Sequence, residues 1–540
     1  MSRHRNPAVG RATFTHPAIC AALLILIQLG GLSSEVRAQL SAFRWVAKSG
    51  GSGDDYGNGI AVDQAGNSFV VGSFNNSATF GGTNVSSFGG DDLFVTKYDP
   101  AGNLLWVRTA GGSTNDTANG VAVDGGGNCY VTGTFWNAAN FGTTNLNSSG
   151  GRDVFLVKYS GTGNLVWVTH AGGVDDDRGL AIAVDGSSNI FVTGTFNGTA
   201  AFDNTNLVSA GVFDIFVAKY DSAGRLLWAR QAGGILDDYG TGVATDAAGN
   251  CYVTGHFGSP LAVFDTVTLT NRGARDIFVA KYDGAGNLLW VRQGGGSDYD
   301  IATALAADSA GNCFVTGHIR GTASFGGTSL TSAGLEDIFV AKYNGAGGLL
   351  WATNAGGPGV DYGYGVAVNS VGDCFVTGGF SGTATFGGVT FTGGGIIVLK
   401  FGSSGAGLID WAKQAARDAG EDYGFAIATD LAGNCYLTGY LAGSSTTFDD
   451  IIVGGTAGAD IYVARLDVLP QVPPLNLRRQ GNQIIVFWPT NAAGFTLQYK
   501  TDLLPPATWL NLGSPTNTVG GNYEVADDAS PAKRYYRLSK

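Results

Sequence analysis

The sequence predicts an all-β protein: a seven-bladed β-propeller followed by a small β-sandwich. Three observations predict it. Trp45, Trp106, Trp167, Trp228, Trp290, Trp351 and Trp411 are spaced by 61, 61, 61, 62, 61 and 60 residues, and self-similarity at such a period marks a solenoid or a propeller. Each copy carries four runs of strand type. One copy reads GVATD, CYVTG, DIFVAKYD and LLWVRQ, rich in β-branched and aromatic residues and separated by Gly-containing turns. Four strands make a propeller blade, whereas a linear solenoid favours uniform coils and separate capping repeats. The third observation is phase. The first recognisable run, FRWVAKSGG from Phe43, is a tryptophan strand, and the last, DIYVARLD from Asp460, has no tryptophan strand after it. Residues 43–48 are therefore expected to complete the seventh blade, joining the two ends and removing open sheet edges.

In chain order, a leader comes first. Arg3, Arg5 and Arg11 precede the apolar run AICAALLILIQLGGL from Ala18 to Leu32, and Val36 and Ala38 are small residues placed for signal peptidase. The run is about fifteen residues, short of the roughly 20 of a spanning helix. Residues 1–38 are expected to be a cleaved signal peptide. The mature chain is then secreted or held in the cell envelope, whether periplasm, outer surface or extracellular space. No later stretch is apolar for that length, so no membrane span is expected after signal removal. The propeller is assigned to residues 39–467. A Pro-rich linker, 468–473, lies within VLPQVPPLNL and is stiff because proline fixes φ and donates no hydrogen bond. Residues 474–540 hold short strand-like runs such as QIIVFWP, FTLQYKTD and KRYYRLSK, as expected of a β-sandwich.

Composition narrows the function. Removing residues 1–38 takes away four of 31 basic and one of 43 acidic residues, leaving about −15. Acidic charge spread this way argues against binding nucleic-acid phosphate. Glycine, 87 of 540 residues without a three-residue period, signals many tight turns. Cys129, Cys251, Cys313, Cys374 and Cys435 all fill one repeated slot, which elsewhere holds Ser68 or Ile190. An odd number at one position reads as a packing slot and not a disulfide framework, and no CxxC supports zinc.

The phrase ATDAAGNCYVTGHF, Ala244 to Phe257, resembles the repeats of bacterial seven-bladed β-propeller proteins, the SBBP group, and is similar to the wider NHL-type blade. NHL blades follow the second strand with an acidic residue, where this chain has Gly133, Gly194, Gly255 and Gly317, so the SBBP likeness is the nearer one. The resemblance spans about Phe43 to Asp467 and implies a scaffold, a binder or, in a few members, an enzyme. The carboxy-terminal segment resembles, more loosely, the fibronectin type III–like modules of exported bacterial proteins.

The recurrent acids are the first candidates. Asp55, Asp116, Asp177, Asp238, Asp300, Asp361 and Asp422 stand ten residues after each tryptophan, eleven in the last copy. They read either as a carboxylate ring on one face, able to hold calcium or a polyhydroxylated ligand by oxygen ligation, or as turn caps beside glycine. Asp63, Asp124, Asp185, Asp246, Asp308, Asn369 and Asp430, in the DxxGN phrase, read chiefly as turn caps. Asp175, Asp176 and Asp177 form the densest acid cluster, either a weak cation site or a solvated loop. Calcium is the one cofactor these patterns allow. Lys97, Lys158, Lys219, Lys281, Lys342, Lys400 and Arg465 are expected to meet a repeated carboxylate or lie along the solvent face, and the tryptophans to pack between blades. His256 and His318 share one repeat position but have no identifiable acid or base partners, and no GxSxG, HExxH or phosphate-binding loop is present.

The most variable segments connect the YVTG and FVAKY strands, as in NNSATFGGTNVSSFGGDD against GSPLAVFDTVTLTNRGARD. They are expected to add a short strand or hairpin, and loops on a rigid scaffold suit recognition. The expected function is an exported, non-enzymatic binding or scaffold protein presenting these loops to a glycan, an envelope component or a protein partner at the cell surface. A glycan-active lyase or hydrolase on the same scaffold, and a purely structural surface protein, are the alternatives.

Overall fold

A computed structural model describes residues 41–468 except 404, 416–421, 444 and 456–457, together with the strands between residues 476 and 539. The leader and the linker 469–473 lie outside the described residues. The chain divides into two units, Ser41–Val468 and the segment beyond Leu469.

Among the described residues, the first unit is built of seven four-stranded antiparallel sheets. Sheet one runs Tyr56–Val62, Ser68–Phe80, Thr83–Tyr98 and Leu104–Gly112. Sheets two to six repeat this order. Sheet seven takes its fourth strand from the start of the unit: Ser41–Gly51 pairs antiparallel with Asp460–Val468, placing Ala47 opposite Val463 and Trp45 opposite Arg465. The run at Phe43 thus completes the last sheet, as its phase predicts. The expected hairpins are present too, as prolongations of the second and third strands or as separate pairs such as Leu261–Phe264 with Val267–Thr270. Each of those in sheets one to five pairs its tip with the fourth strand of the sheet before it, as Gly233 does with Val263.

The apolar core lies between sheets. One cluster joins Phe191, Val217 and Trp228 of sheet three to Val243, Val253 and Phe278 of sheet four. Another joins Val70, Phe74 and Phe94 of sheet one to Tyr436 and Val463 of sheet seven. Because these residues alternate to both faces of each strand, every sheet is buried on both sides, which explains runs as apolar as DIFVAKY. The cysteine slot belongs to this core: all five cysteines are buried and unpaired.

Each tryptophan seals a seam. The Trp45, Trp106, Trp228 and Trp290 indoles donate from Nε1 to Pro100, Gly161, Gly284 and Gly345 carbonyls of the next sheet at 3.0–3.2 Å. The repeated cation reinforces the same carbonyl, as Lys219 Nζ does on Gly284 at 3.1 Å. Lys97 and Lys281 also meet Asp63 and Asp246 of the DxxGN turns at 3.3 and 3.1 Å. Those aspartates cap their turns: Asp63 Oδ1 accepts from the Ala65 and Asn67 amides. The indole leaves room only for glycine beneath it. A Cβ on Gly286, whose φ is +82°, would lie 2.8 Å from Trp228 Cδ2. Next to Trp228, Leu227 is skipped in the ladder, Lys219 pairing with Trp228 and Tyr220 with Leu226. A bulge of this kind on an outer strand spoils it as a template for further pairing.

The second unit contains a four-stranded antiparallel sheet, including Gln483–Pro489 and Asn522–Asp528, and a three-stranded one, including Thr496–Lys500 and Tyr535–Ser539. Val486, Leu497 and Val525 are buried. Among the described residues no helix is long and apolar enough to cross a membrane.

Packing and hydrogen bonding at a seam can be separated by mutation. Trp228→Ala is expected to destabilise the protein by about 3–5 kcal/mol. Trp228→Phe, which keeps an aromatic ring but loses the bond to Gly284, should cost about 1 kcal/mol more than its lost volume alone accounts for. Urea denaturation of both variants reads the difference.

Candidate functional site

The predicted carboxylate ring is buried. Asp55, Asp116, Asp177, Asp238, Asp300 and Asp361 are fully shielded and Asp422 nearly so. The Gly51, Gly112, Gly173, Gly234, Gly296 and Gly357 amides donate to the first six at 2.6–2.7 Å. A second amide, such as Asn75 on Asp55, Trp136 on Asp116 or Ala442 on Asp422, donates at 2.7–3.0 Å. These carboxylates tie the turn after one sheet to the second strand of the next. Their oxygens accept from backbone amides, the arrangement of turn caps. The cluster Asp175–Asp177 also separates: Asp177 caps its turn, Asp175 faces solvent, and Asp176 pairs with Arg152 and Arg178 at 3.1 and 3.2 Å. Among the described residues, no three His, Cys, Asp or Glu side chains meet closely enough to hold a metal ion.

A second set of acids, Asp92, Asp153, Asp214, Asp276, Asp337 and Asp460, opens the repeated DIFVAKY-type phrase and is not among the sequence candidates. They are buried beside the first set. A methyl group on Gly111 would lie 2.4 Å from Asp92 Oδ1 and 3.0 Å from Asp116 Oδ2, so both carboxylates close on one glycine. Burial is the main force on their acidity. It pushes Asp55, Asp92 and Asp300 up to about 6, and Asp116, Asp177, Asp214 and Asp361 up to about 7, with a neighbouring carboxylate adding to the rise.

The part of the molecule that departs from repetition is aromatic. Contacts between the first strands of neighbouring sheets place those strands innermost. The residue that follows the capping aspartate opens them: Tyr56, Thr117, Arg178, Tyr239, Ile301, Tyr362 and Tyr423. Two positions on, a bulge residue faces the next sheet. Asn58, Asn119, Thr241 and Thr303 use it to donate to a carbonyl across the seam at 2.7–3.0 Å, whereas Tyr364 and Phe425 place rings there.

The rings run on across the seams. His318 of sheet five meets Tyr362 of sheet six, centroids 4.5 Å apart. Tyr362 leads to Tyr364 at 5.7 Å, and Tyr364 to Tyr423 and Phe425 of sheet seven at 5.8 and 5.2 Å. Tyr440 contacts both at 5.7 and 5.3 Å and reaches Tyr56 of sheet one at 5.2 Å. All seven side chains are half-buried, so edges or faces remain open to solvent. In sheets three and four, Phe213, Tyr239 and His256 form a second group, with Arg178 over Phe213 at 5.3 Å and Arg275 over Tyr239 at 5.4 Å. Arg275 also donates to His256 Nε2 at 3.2 Å. Burial holds the His256 imidazole down at about 3, helped by Arg275, and His318 at about 4, so both are neutral near pH 7.

The chemistry on offer is flat apolar surface edged by phenol hydroxyls, with two arginines at one end. In the phrase Asp-Tyr-Gly the aspartate is the sequence candidate, and the tyrosine beside it lines the arc. That phrase recurs at Tyr56, Tyr239, Tyr362 and Tyr423 but not in sheets two, three or five. Its uneven occurrence was the available signal.

The chain is similar to several known proteins, and the family match is to a β-propeller repeat. The family described as SBBP, a β-propeller repeat, matches residues 44–77 and 227–256. An uncharacterized WD repeat-containing protein of Acanthamoeba polyphaga mimivirus is 25% identical over 357 residues, 53% of this chain and 26% of that protein. The regulatory protein FlaEY of Caulobacter vibrioides is 29% identical over 153 residues, 27% of this chain and 16% of that protein. The chain thus spans about a quarter or less of either relative. Among solved structures, a puromycin hydrolase mutant complexed with PGG aligns with 81% of this chain and 59% of its own, at 11% identity and a TM-score of 0.32. A GH43 protein mutant from Bacillus licheniformis aligns with 91% and 97%, at 9% identity and a TM-score of 0.25. The chain is a β-propeller repeat protein of all-β fold.

The buried carboxylates make stability depend on pH. Their folded-state acidities lie above the ordinary value near 3.9, so between about pH 4 and 7 the folded chain holds protons that the unfolded chain has released. Stability therefore falls as pH rises from about 4 to about 7, and the loss is complete once pH passes the folded-state values of about 6 to 7. Calorimetry at constant ionic strength should give a higher Tm at pH 5 than at pH 8, with a smaller difference for Asp116→Asn.

Proposed function

We propose that the chain is an exported binding protein, a closed seven-bladed β-propeller that takes its ligand on the aromatic arc from His318 to Tyr56. The seven four-stranded sheets are its blades, locked by the strand Ser41–Gly51, and the two small sheets after residue 475 form a fibronectin type III–like sandwich acting as a spacer or second contact. The leader-like residues 1–38 favour a destination in the envelope or outside the cell.

The observation that carries this reading is the arc itself: seven half-exposed rings in continuous succession, two of them, Tyr364 and Phe425, at the bulge position where other sheets place Asn, Thr or Leu. Repeated features serve the architecture, and a feature confined to one sector is available for a ligand. Stacked rings edged by hydroxyls suit a polyhydroxylated ligand with flat apolar patches, which points to a glycan at the cell surface more than to an extended acidic or basic chain. Neutral His256 and His318 are poorly matched to proton transfer near pH 7, which supports binding without turnover.

Glycan-array screening of the mature chain tests the reading. Hits are expected, and Tyr364→Ala combined with Tyr423→Ala should weaken them by about tenfold or more, equivalent to about 1.4 kcal/mol or more. Absence of hits, or hits indifferent to both changes, would remove the arc as the binding surface.

A further inference from the structure

A different sector breaks the repeat in a different way. Between the fourth strand of sheet three, Leu226–Gly233, and the hairpin of sheet four lies a crevice of about 790 Å³. That volume falls within the roughly 300–1,000 Å³ of small-molecule sites. Leu261, Val263 and Ile235 line it and are 55, 46 and 66% exposed. Leu236 and Val208, each next in sequence to a lining residue, are 47 and 56% exposed.

The other copies show that the fold does not require these aliphatics. The two outward positions of the hairpin strand, Leu261 and Val263 here, are Ser77 and Thr79, Ala138 and Asn140, Thr199 and Ala201, Thr322 and Ser324, Thr383 and Thr385, and Ser445 and Thr447 elsewhere. Val208 is matched by Ser86, Asn147, Thr270, Thr331 and Thr392, and Ile235-Leu236 by Ser52-Gly53, Ser113-Thr114, Ser297-Asp298, Pro358-Gly359 and Val174-Asp175, so that only Val174 repeats an exposed aliphatic there. The corresponding crevice between sheets five and six encloses about 360 Å³ and has Thr385 where Val263 stands. That second crevice has one exposed aliphatic, Leu408, where the first gathers Ile235, Leu261 and Val263, and such a gathering marks an interaction site.

The polar groups around the crevice define its complement. Gln231 exchanges hydrogen bonds with the Val208 backbone at 2.9 and 3.1 Å. Arg230 donates to the Gly286 and Ala229 carbonyls at 2.9 Å, and Asn287 to Asp283 at 2.8 Å. Asp214 Oδ1 is buried without a partner, but so is its counterpart in Asp92, Asp153, Asp276 and Asp337, so it is no special feature of this crevice. With Gln231, Arg230 and Asn287 engaged by the protein itself, the exposed aliphatic part of the lining is Ile235, Leu261 and Val263.

We infer that this crevice binds the single, uncharged alkyl chain of a small amphiphile. The site lies apart from the aromatic arc and does not depend on what the arc binds.

Isothermal titration of the full mature chain with straight-chain primary alcohols of increasing length, about six to ten carbons, tests it; affinity should rise about fourfold per methylene. The triple change Ile235→Ser, Leu261→Thr, Val263→Thr installs residues that other copies carry and should keep the melting temperature while weakening the longest alcohol by about tenfold or more. The single change Val263→Thr, as at Thr385, carries the same test in milder form, at about threefold. Absence of binding, affinity indifferent to chain length, or binding unchanged in these variants overturns the inference. So does sedimentation with phosphatidylcholine vesicles in the absence of alcohol binding, which would assign the surface to a membrane. Self-association abolished by the triple change would assign it to a second copy and overturn it equally.

Discussion

The seam between adjacent sheets is sealed by an indole packed on a turn of the next sheet, and Trp45, Trp106, Trp167, Trp228 and Trp290 also donate to a carbonyl of that turn, whereas Trp351 Nε1 is buried without an acceptor. Trp228 does both at once, stacking over Gly286 and bonding to Gly284. The contact combines a large apolar area with one directional bond, so it resists both sliding and separation of the sheets. It also requires a partner on the far side at every seam. Trp45 finds its partner in Pro100 of sheet one, and Arg465 donates to the same oxygen at 3.0 Å. The strand that begins the described chain and the strand that ends sheet seven thus press on one carbonyl, and the first sheet gains a neighbour that chain order alone would deny it.

That constraint explains where polar groups can be afforded inside. Backbone amides where one sheet hands over to the next cannot be met by ladder partners, and a buried amide without an acceptor is costly. The capping aspartates supply acceptors, while the cost of their own burial appears as raised acidity. A second aspartate on the third strand satisfies the hairpin amides, as Asp214 does for Ala210 at 2.9 Å. The recurring acids are therefore the polar counterpart of the recurring tryptophans. Both belong to the joints, which is why the tryptophans and the turn-capping aspartates recur in every sheet, while the third-strand aspartate is replaced only in sheet six, by Gly395.

Freed from the joints, other positions diverge. The inner bulge position carries Asn or Thr where a side chain bridges to the next sheet, and Tyr364 or Phe425 where rings accumulate. The outward face of the hairpin carries Ser or Thr in most sheets, and Leu261 and Val263 in one. Aromatic surface in one sector and aliphatic surface in another are distinct chemistries on a common frame, each placed where substitution leaves the seams untouched.

The repeat period, four strands to a copy, the closing role of Phe43 and its neighbours, the hairpins and the packing of tryptophan and cysteine were all legible in the sequence. They follow from alternation, turn residues and spacing, which are local properties. The aromatic arc was not legible. Tyr362, Tyr364, Tyr423 and Tyr440 lie up to 78 residues apart in sequence, and only the winding of the chain brings their rings within 6 Å of one another in succession. The fate of the acids was likewise decided by tertiary structure, because whether a carboxylate faces solvent or caps a buried turn depends on which sheet arrives beside it. Sequence by itself determined how each sheet is made and how many copies there are. Only the folded molecule decided which side chains from different copies share a surface, since that proximity is created by packing between sheets and leaves no local pattern in the chain.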